Sequence, residues 1–348
     1  MGRTPTTNLN LPPHMRARRR GETIYYYYDK GGKPRVEISL GKVYIEAVRK
    51  WSELAGKTAM PLIYFKDIAD RYLLEVVPTK AERTQKDNIK EMQHLLAFFN
   101  NPPAPITEIR PIHIRQYMNW RSDNGTKATT RANRDKSLLS HIFNKAREWG
   151  ALDTVNPCQG IKGFKEVGRN IYIEDEVLNA IYQIASQPLK DALDLAYLCG
   201  QRPSDTVAMC VDDFKNDELK VYQDKTGAKI RMSVTGELKP LIERILKNKQ
   251  SHKIFTTQLI TTETGMPISQ DALRQRFDEA RDKAMILNPK IAKEIRAFQF
   301  RDLRAKAATD KAENSSMRDA QMQLGHTSMA MTEHYVRKRR GQKVTPTK

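Results

Sequence analysis

The first sixty residues show the pattern of a small β-sheet followed by a helix. Thr23–Tyr28 is rich in tyrosine and predicts one strand, and Arg35–Leu40, with an apolar residue at every second position from Val36, predicts another. Asp29–Gly32 separates them and predicts the turn, because glycine supplies the positive φ that a hairpin needs. Helical spacing of apolar residues then predicts a helix over Ile45–Leu54.

Residues 62–160 carry the spacing of amphipathic helices. A proline near a predicted start and a glycine after a predicted end support several of the boundaries. The predicted helices are Tyr64–Val77, Ala81–Phe99, Pro111–Trp120 and Thr129–Trp149. This part of the chain is therefore expected to be an all-helical domain.

From residue 169 onward the pattern is mixed and mostly helical, after a predicted linker over residues 156–165. Two short strands, Leu219–Tyr222 and Lys229–Val234, flank a turn at Asp224–Gly227. The expected fold class is multidomain α+β. It comprises a small N-terminal β-sheet plus helix (1–60), an all-helical domain (62–160) and a mostly helical domain with a small β-sheet (169–348).

The net charge of the chain indicates that its binding partner is a polyanion. The chain holds 60 Lys and Arg against 41 Asp and Glu, a net charge of +19. Basic residues placed on phosphates release counterions, so this excess favours nucleic acid, with a solvated basic surface as the alternative. An anionic membrane is disfavoured because no basic amphipathic helix and no apolar run of about 18 residues stand out.

The cysteines indicate a reducing compartment. Three occur, at Cys158, Cys199 and Cys210, and their odd number and spacing form no disulfide framework. The N-terminus also lacks the apolar core of a secretory signal. We therefore expect the protein to act in a reducing interior.

Two basic stretches are candidates for DNA contact. The first is interpreted as a DNA-contacting arm, with a solvated tail as the alternative, and consists of Arg16, Arg18, Arg19 and Arg20. The second lies in the first turns of the last helix of 62–160. Cations there oppose the helix dipole, so binding of an external phosphate is one explanation for their presence. An exposed helical face is the other reading of these residues, which are Lys127, Arg131 and Arg134.

Four polar clusters in the last 180 residues are each weak evidence alone. Arg202 follows an apolar helix that ends at Gly200, with Asp205 just beyond it, and Lys225 lies in the predicted turn. Taken singly, such an arginine is usually a surface ion pair and such a lysine is usually solvated.

The remaining two clusters lie near the C-terminus. Arg301 and Arg304 are three residues apart, so they are expected to share a helix face, and Phe298 and Phe300 are expected to pin the segment to the core. His326 follows a glycine and Tyr335 follows nine residues later. Alone, this histidine is more often a cap and this tyrosine more often part of a core.

The order of these residues resembles the tyrosine recombinase (phage integrase) family. The pattern is Arg, then a hairpin Lys, then a motif ending in Arg, then Gly-His, then Tyr, seen here in "GQR…D", "KTG.KI" and "LGH". The opening "MGR…LPP" and the tyrosine-rich strand also resemble the arm-binding domain of such integrases. The resemblance implies an arm-binding domain, a core-binding domain and a catalytic domain, in that order.

The resemblance also implies the chemistry. Tyr335 would attack a DNA phosphodiester to form a 3′-phosphotyrosine and free a 5′-hydroxyl. Arg202 and Arg304 would hold the non-bridging oxygens, since a permanently charged, planar guanidinium suits a phosphoryl transition state. Lys225 would protonate the departing 5′-oxygen, and His326 would hydrogen-bond a phosphate oxygen.

Two further positions are assigned by the resemblance. Asp205 stands where the family has an acidic helper that orients its neighbours. Arg301 stands where the family usually has histidine, and arginine cannot accept a proton near neutral pH. The hypothesis is that no protein base at this position is essential, and that Arg301 stabilises phosphate charge or lowers the pKa of Tyr335 by proximity.

No cofactor and no metal are expected, because the histidines are scattered and a phosphotyrosine bond conserves the energy of the broken linkage. The resemblance implies as partners double-stranded DNA attachment sites of core and arm type, a homo-tetramer on DNA, host DNA-bending proteins and an excision factor, with no membrane. It also implies a location in the cytoplasm of a bacterial host, associated with the nucleoid. A basic tail after Tyr335 is expected to contact DNA or a neighbouring protomer; its residues are Arg337, Lys338, Arg339 and Arg340.

Three alternatives remain open at this point. A metal-dependent transposase needs acidic residues around a divalent ion, and resistance to chelators would exclude it. A non-catalytic DNA-binding regulator, with Arg301 marking a decayed site, would form no covalent adduct. A cellular recombinase that resolves chromosome dimers would share the chemistry, but the additional basic N-terminal domain argues against it.

Overall fold

A computed structural model describes residues 11–55, 63–252 and 254–336. The chain divides into two compact units, with the boundary between Val167 and Gly168. The expected fold class is confirmed: a small N-terminal sheet with a helix, a helical region, and a mostly helical second unit with its own small sheet. The basic tail at residues 337–340 lies outside the described residues.

The N-terminal sheet has three antiparallel strands in the order β1-β2-β3, followed by helix α1; their bounds are Met15–Arg20, Thr23–Gly31, Val36–Gly41 and Tyr44–Leu54. Trp51 of α1 is buried against β1, β2 and β3 in a core that includes Met15, Tyr26 and Leu40. Its indole N–H donates to the Pro13 carbonyl oxygen at 2.8 Å.

Two expectations for this sheet are wrong. The basic run forms strand β1 at the edge of the sheet instead of an arm or a tail in front of it, because it pairs with β2 from Met15 opposite Tyr28 to Arg20 opposite Thr23. That its arginines contact DNA stays a prediction. The turn between β2 and β3 covers residues 32–35 instead of 29–32, since β2 continues to Gly31. The hydrogen-bonded pairing of neighbouring strands therefore outweighs the charge repulsion within the run.

The helical region has four long helices, each within a few residues of its predicted bounds: α2 Phe65–Glu75, α3 Glu82–Phe99, α4 Pro111–Arg121 and α5 Thr129–Glu148. Their apolar faces meet in one core, where the rings of Phe99 and Tyr117 stack with centroids 5.7 Å apart.

The predicted linker at residues 156–165 instead packs on this helical region. Cys158 is buried in its core, and Phe164 packs against the same cluster. The Asn156 amide donates to the Ser140 carbonyl oxygen at 2.9 Å, and the Phe164 backbone N–H donates to the side-chain oxygen of Asn133 at 2.8 Å. The segment thus fixes α5 instead of spacing two domains.

The second unit is built from nine helices and three strands among its described residues. The helices are α6 Asp175–Ile184, α7 Gln187–Cys199, α8 Pro203–Ala208, α9 Leu238–Gln250, α10 Gln270–Leu287, α11 Ala292–Ala297, α12 Asp302–Asn314, α13 Met317–Leu324 and α14 Met329–Tyr335. The antiparallel sheet, in the order β4-β5-β6, consists of Phe214–Lys215, Glu218–Tyr222 and Lys229–Ser233. The turn of Asp224–Gly227 lies between β5 and β6, as predicted.

Helix α12 is the central element of this unit, and every residue from Asp302 to Thr309 is buried. The segment that leads into it is held by aromatic contacts. Phe298 and Phe300 lie edge-on to Phe277, with ring centroids 5.0 and 5.8 Å apart, which confirms that they pin the segment to the core.

A buried ion network around Lys306 holds α12 against its neighbouring helices. Lys306 is 1% exposed, and its ammonium lies 2.6 Å from Asp175 and 3.1 Å from Asp310. The hydroxyls of Tyr172 and Tyr197 donate to Asp310 at 2.6 and 2.7 Å. One buried charge thereby connects α6, α7 and α12.

Replacing Lys306 with alanine is expected to lower the free energy of unfolding by about 3–5 kcal/mol, because the Asp310 carboxylate and two tyrosine hydroxyls lose their buried cation. Lys311→Ala, at an exposed position of the same helix, is the matched control and should change it by about 0.5 kcal/mol or less. Urea unfolding of the full chain measures both. Equal losses in the two variants would contradict the prediction.

Candidate active site

The guanidinium of Arg304 lies at the centre of the site and is 2% exposed. Its Nη1 donates to the Gly200 carbonyl oxygen and its Nη2 to the Leu324 carbonyl oxygen, both at 2.8 Å. These carbonyls lie at the C-terminal ends of α7 and α13, where peptide oxygens lack a helical partner and carry partial negative charge. Both helices end in a left-handed glycine, Gly200 and Gly325.

The five N–H donors of Arg304 can be counted completely. The second hydrogens of Nη1 and Nη2 reach the Gln201 side-chain oxygen at 3.4 Å and the His326 Nε2 at 3.1 Å. The buried Nε has no acceptor among the described residues. Because a buried unpaired donor costs about 1–3 kcal/mol, an oxygen acceptor brought to this N–H would stabilise the site.

Arg202 begins α8 and is positioned by two acceptors. Its Nη1 lies 3.0 Å from the Gln223 side-chain oxygen and 3.4 Å from a carboxylate oxygen of Asp205, which is buried. The charge of Arg202 is close enough to Arg304 to act with burial in lowering the pKa of Arg304 to about 10. Arg304 therefore stays charged at neutral pH, with Arg202 beside it.

His326 is buried between Arg304 and Thr332. Because Arg304 donates to its Nε2, that nitrogen must carry a lone pair, and the proton lies on Nδ1, 3.1 Å from the Thr332 hydroxyl. Burial first, and then the charges of Arg304 and Arg202, lower the pKa of His326 to about 4. The imidazole is thus neutral and accepts a hydrogen bond from Arg304 in this state.

Tyr335 closes the site from the last turn of α14. The centroid of the Tyr335 ring lies 5.1 Å from the His326 ring centroid and 5.4 Å from the Arg304 Cζ. The structure therefore places Tyr335 with Arg304 and His326. Through the Arg202–Arg304 pair, Arg202 and Asp205 belong to the same group.

Two predicted residues are not brought into this group. Lys225 lies exposed on the β5–β6 turn. Arg301 lies exposed at the residue before α12, whereas Arg304 is buried, so the expectation that Arg301 and Arg304 share a helix face is wrong. The cation that contacts Tyr335 is Arg304, not the predicted neighbour Arg301.

Gln223 and Gln201 are site residues that the sequence analysis missed. Both are buried, and the Gln223 amide donates to the side-chain oxygen of Gln201 and to the Leu324 carbonyl oxygen, each at 2.8 Å. A signal was present: Leu219 and Val221 alternate inward along β5, and Gln223 continues that parity as a polar residue on an apolar face.

The four arginines of β1 divide between two faces of the N-terminal sheet. Arg19 lies on the same face as Met15 and Ala17, because alternate residues of a strand share a face, and those two residues pack toward α1. The opposite face carries Arg16, Arg18 and Arg20.

On that opposite face, arginines and tyrosines interleave. The Arg18 guanidinium lies 5.2 Å from the Tyr27 ring centroid, and Arg20 lies 6.0 Å from that of Tyr25. Arg18 also pairs with Glu37 at 2.7 Å. These exposed contacts hold the side chains extended over the sheet while leaving positive charge at its surface.

The basic residues of the helical region have acidic neighbours in the same unit. Lys127 lies 3.2 Å from Asp123, and Arg134 lies 3.7 Å from Glu166. Arg131 is exposed. Exposed pairs of this kind contribute less than about 1 kcal/mol, so they leave these cations available to a phosphate backbone.

Within the described ranges, no group of three or more His, Cys, Asp or Glu residues is arranged to hold a metal ion. Among the same residues no helix is both long and apolar enough to cross a membrane.

Comparison with known proteins places this part of the chain in a known family. The model of the phage integrase family matches residues 172–341, which include every residue of the group around Arg304. The integrase of Enterobacteria phage 434 is 29% identical and that of Escherichia phage lambda 28%, each match covering 94% of this chain and 93% of the relative.

Solved structures show the same fold. A lambda integrase dimer bound to a COC′ core site superposes with a TM-score of 0.70 at 23% identity, covering 97% of this chain and 98% of that one. A lambda integrase tetramer bound to a Holliday junction gives a TM-score of 0.69 at 23% identity, covering 97% and 99%.

His326 is expected to remain neutral, with its proton on Nδ1, from about pH 5 to pH 8, because its pKa is lowered to about 4. Imidazole ¹⁵N chemical shifts of the full chain measure both the charge and the tautomer. The His326 imidazole binds a proton more readily in the unfolded chain than in the folded one, so the free energy of unfolding should fall as the pH decreases from 6.5 toward 4. His326→Gln should remove the part of this fall that is due to His326. Titration of His326 near pH 6.5 would contradict this prediction.

Proposed function

Residues 172–341 belong to the phage integrase family, so the chain is a tyrosine-type site-specific DNA recombinase, and we propose that Tyr335 is its nucleophile. The proposal rests on the contacts of the Tyr335 ring with His326 and Arg304. Beside them, the buried Nε–H of Arg304 has no acceptor among the described residues. The enzyme integrates, and in the reverse direction excises, phage or prophage DNA at attachment sites.

In the proposed step, the Tyr335 hydroxyl oxygen attacks the scissile phosphorus in line with the 5′-oxygen. The new bond joins the tyrosine to the 3′-phosphate, and the bond from phosphorus to the 5′-oxygen breaks. The phenolic proton leaves to solvent, and the 5′-oxygen takes up a proton as it departs. Because one phosphodiester replaces another, the step reverses when a different 5′-hydroxyl attacks, and strands are exchanged.

Arg304 and Arg202 are proposed to bind the non-bridging oxygens. Four of the five N–H donors of Arg304 are engaged by protein groups, so its Nε–H is the donor left for an oxygen. Arg202 uses only Nη1 for protein acceptors among the described residues, which leaves Nε and Nη2. Preorganised charge of this kind stabilises the transition state without reorganisation.

His326 is proposed to donate a hydrogen bond to a phosphate oxygen after a change of tautomer. In the present state its Nε2 accepts from Arg304. A phosphate that takes over this Arg304 hydrogen frees Nε2 to carry the proton, and the Thr332 hydroxyl then donates to Nδ1 in place of accepting from it. A hydroxyl suits both states because it donates and accepts.

Lys225 is proposed to protonate the departing 5′-oxygen. Its exposed position on the β5–β6 turn lets its ammonium reach a bound duplex, and an ammonium holds the proton that an alkoxide leaving group requires. Asp205 is proposed to orient Arg202.

Arg301 is proposed to stabilise phosphate charge from the N-terminal end of α12, not to act as a base. An exposed guanidinium with no proton-accepting form near neutrality suits that role. Solvent then accepts the Tyr335 proton, and activation of the nucleophile depends on the neighbouring positive charge.

We also propose three functional domains: an arm-type DNA-binding domain at 1–60, a core-binding domain at 62–160 and the catalytic domain at 169–348. The arginine and tyrosine face of the N-terminal sheet supports the first, since β-sheets can read the major groove. The exposed Lys127, Arg131 and Arg134 support the second. A chain with two DNA-binding domains would bridge arm and core sites.

The proposed assembly is a homo-tetramer on two core sites, by analogy with the lambda integrase tetramer on a Holliday junction. Host DNA-bending proteins and an excision factor would bring arm and core sites together and set the direction. Such an enzyme would act at the nucleoid of a bacterial host.

A core-site duplex with a nick beside the cleavage site loses the short fragment that carries the freed 5′-hydroxyl. It is therefore expected to trap a covalent protein–DNA adduct on the remaining 3′ end. Tyr335→Phe should abolish the adduct, while Tyr222→Phe, which changes an exposed tyrosine of the same unit, should not. Arg304→Ala should slow adduct formation by at least about 100-fold. Denaturing gels measure the adduct.

In the same assay, Arg301→Ala should slow cleavage and Arg301→His should retain it; an unchanged rate for Arg301→Ala would remove this residue from the site. An adduct that persisted in Tyr335→Phe would assign the nucleophile elsewhere. Loss of the adduct in chelator would favour the metal-dependent alternative, and failure to trap any adduct would favour a DNA-binding regulator.

For the N-terminal sheet, Arg18→Ala and Arg20→Ala are expected to weaken binding to a mixed-sequence duplex. Each should reduce the slope of log K against log salt by about 1 per lost phosphate contact. Arg19→Ala, on the same strand but on the α1 side, is the matched control and should leave the slope unchanged. A slope that responds most to Arg19→Ala would contradict the assignment of the face.

A further inference from the structure

Gln223 is buried at the base of the turn that carries Lys225. Its backbone closes that turn: the N–H donates to the Ala228 carbonyl oxygen at 2.9 Å, and the carbonyl accepts from the Gly227 N–H at 2.8 Å. Its side chain is 0% exposed. A buried amide with a fixed backbone has a single orientation only if its hydrogen-bonding groups are all used.

The Gln223 amide uses all four of its hydrogen-bonding positions. The oxygen accepts from Arg202 Nη1 at 3.0 Å and from the Thr226 hydroxyl at 2.8 Å. The nitrogen donates to Gln201 and to the Leu324 carbonyl oxygen, each at 2.8 Å. Two lone pairs and two N–H groups are the capacity of an amide, so this side chain is fully satisfied in this position.

Through these bonds Gln223 joins the three parts of the proposed active site. One partner is Arg202, another is the Lys225 turn through Thr226, and the third is the Leu324 carbonyl oxygen, which also accepts from Arg304. Arg202 and Arg304 each have a further partner that does not involve Gln223, the Asp205 carboxylate and the Gly200 carbonyl oxygen respectively. A shift of Gln223 would therefore chiefly displace the Lys225 turn.

The packing beneath Gln223 leaves little space for movement. A Cβ added at Gly325 would lie 3.1 Å from the Gln223 Nε2, 3.3 Å from the Ala228 Cβ and 2.9 Å from the Ile230 Cδ1. A side chain at Gly325, where φ is +63°, would therefore press against the hairpin and adopt a strained backbone conformation. The hairpin is thus held against that loop by hydrogen bonds and by close contact.

We infer that Gln223 is a positioning residue that sets the place of Lys225 relative to Arg202 and Arg304. The inference rests on the proposed role of Lys225 as proton donor. Lys225 follows two residues after Gln223, a span of at most about 7 Å along the backbone. Anchoring Gln223 thereby confines the origin of the lysine side chain, while its ammonium remains exposed to reach the DNA.

The test separates proton donation from phosphate binding by changing the leaving atom. In a core-site substrate whose bridging 5′-oxygen is replaced by sulfur at the scissile phosphate, the leaving thiol has a pKa of about 8–9 and departs as thiolate without a proton. Variants that lack only the proton donor should be rescued on this substrate. Variants that lack phosphate binding should not.

Gln223→Met keeps the length of the side chain but removes its hydrogen bonds. It should slow cleavage of the oxygen substrate by about 100-fold, the lower range of general-acid catalysis, and slow cleavage of the sulfur substrate by less than about 3-fold. Gln187→Met, which removes a glutamine bonded to Asp191 instead, is the matched control and should cleave both at the normal rate.

Gln223→Glu is a second variant, for the case that Gln223→Met fails to fold. It retains acceptors for Arg202 and Thr226 but loses both donors, and it should show the same selective rescue. Equal slowing on both substrates, or no slowing on either, would overturn the inference. If Lys225→Ala were not rescued by sulfur, the proton-donor role of Lys225 would fail first, independently of Gln223.

Discussion

The burial of one arginine is the constraint on which the second unit depends. Arg304 is 2% exposed, and among the described residues it donates hydrogen bonds to the carbonyl ends of two helices instead of to a carboxylate. A carboxylate would neutralise the guanidinium, whereas peptide dipoles stabilise it and leave its charge available to an anion. That choice requires α7 and α13 to end at the same place. Left-handed glycines at Gly200 and Gly325 allow both endings.

The same constraint sets the protonation of the site. Burial, and then the repulsion between neighbouring cations, lowers the pKa of His326 to about 4 and that of Arg304 to about 10, so His326 is neutral. Polar neutral groups, Gln201 and Gln223, fill the remaining space and orient the arginines without adding charge. The result is a buried net positive charge, which a DNA phosphate would compensate on binding.

Local patterns predicted most of this fold, because amphipathic spacing directly reports which face of a helix is buried. The four helices of the helical region and the pinning role of Phe298 and Phe300 followed from such patterns. Long-range pairing did not. The run that includes Arg18 is a strand because β2 pairs with it, and the segment near Phe164 is packed because Asn133 bonds its backbone. Neither partner is apparent from the run or the segment itself.

The site shows the same limit at the level of single residues. The order of polar residues identified Arg304, His326 and Tyr335, but spacing alone could not separate Arg304 from Arg301. Residues three apart share a face only within a helix, and Arg301 lies just before α12 begins. Gln223 was missed because an inward-facing glutamine has no chemistry of its own; its importance arises from four partners that lie 3 to 101 residues away in sequence.

The division between buried and exposed groups has a mechanistic consequence. Arg202 and Arg304 are held by the protein before DNA arrives, whereas Lys225 is exposed and holds no ion-pair partner within the described part of the chain. In the proposed mechanism, phosphate binding is thus preorganised, while proton delivery depends on how the bound duplex meets the β5–β6 turn. Under that mechanism the recombinase would bind its phosphate readily but complete strand cleavage only where the DNA places the 5′-oxygen within reach of that lysine, so the control of cleavage would lie in the turn more than in the arginines.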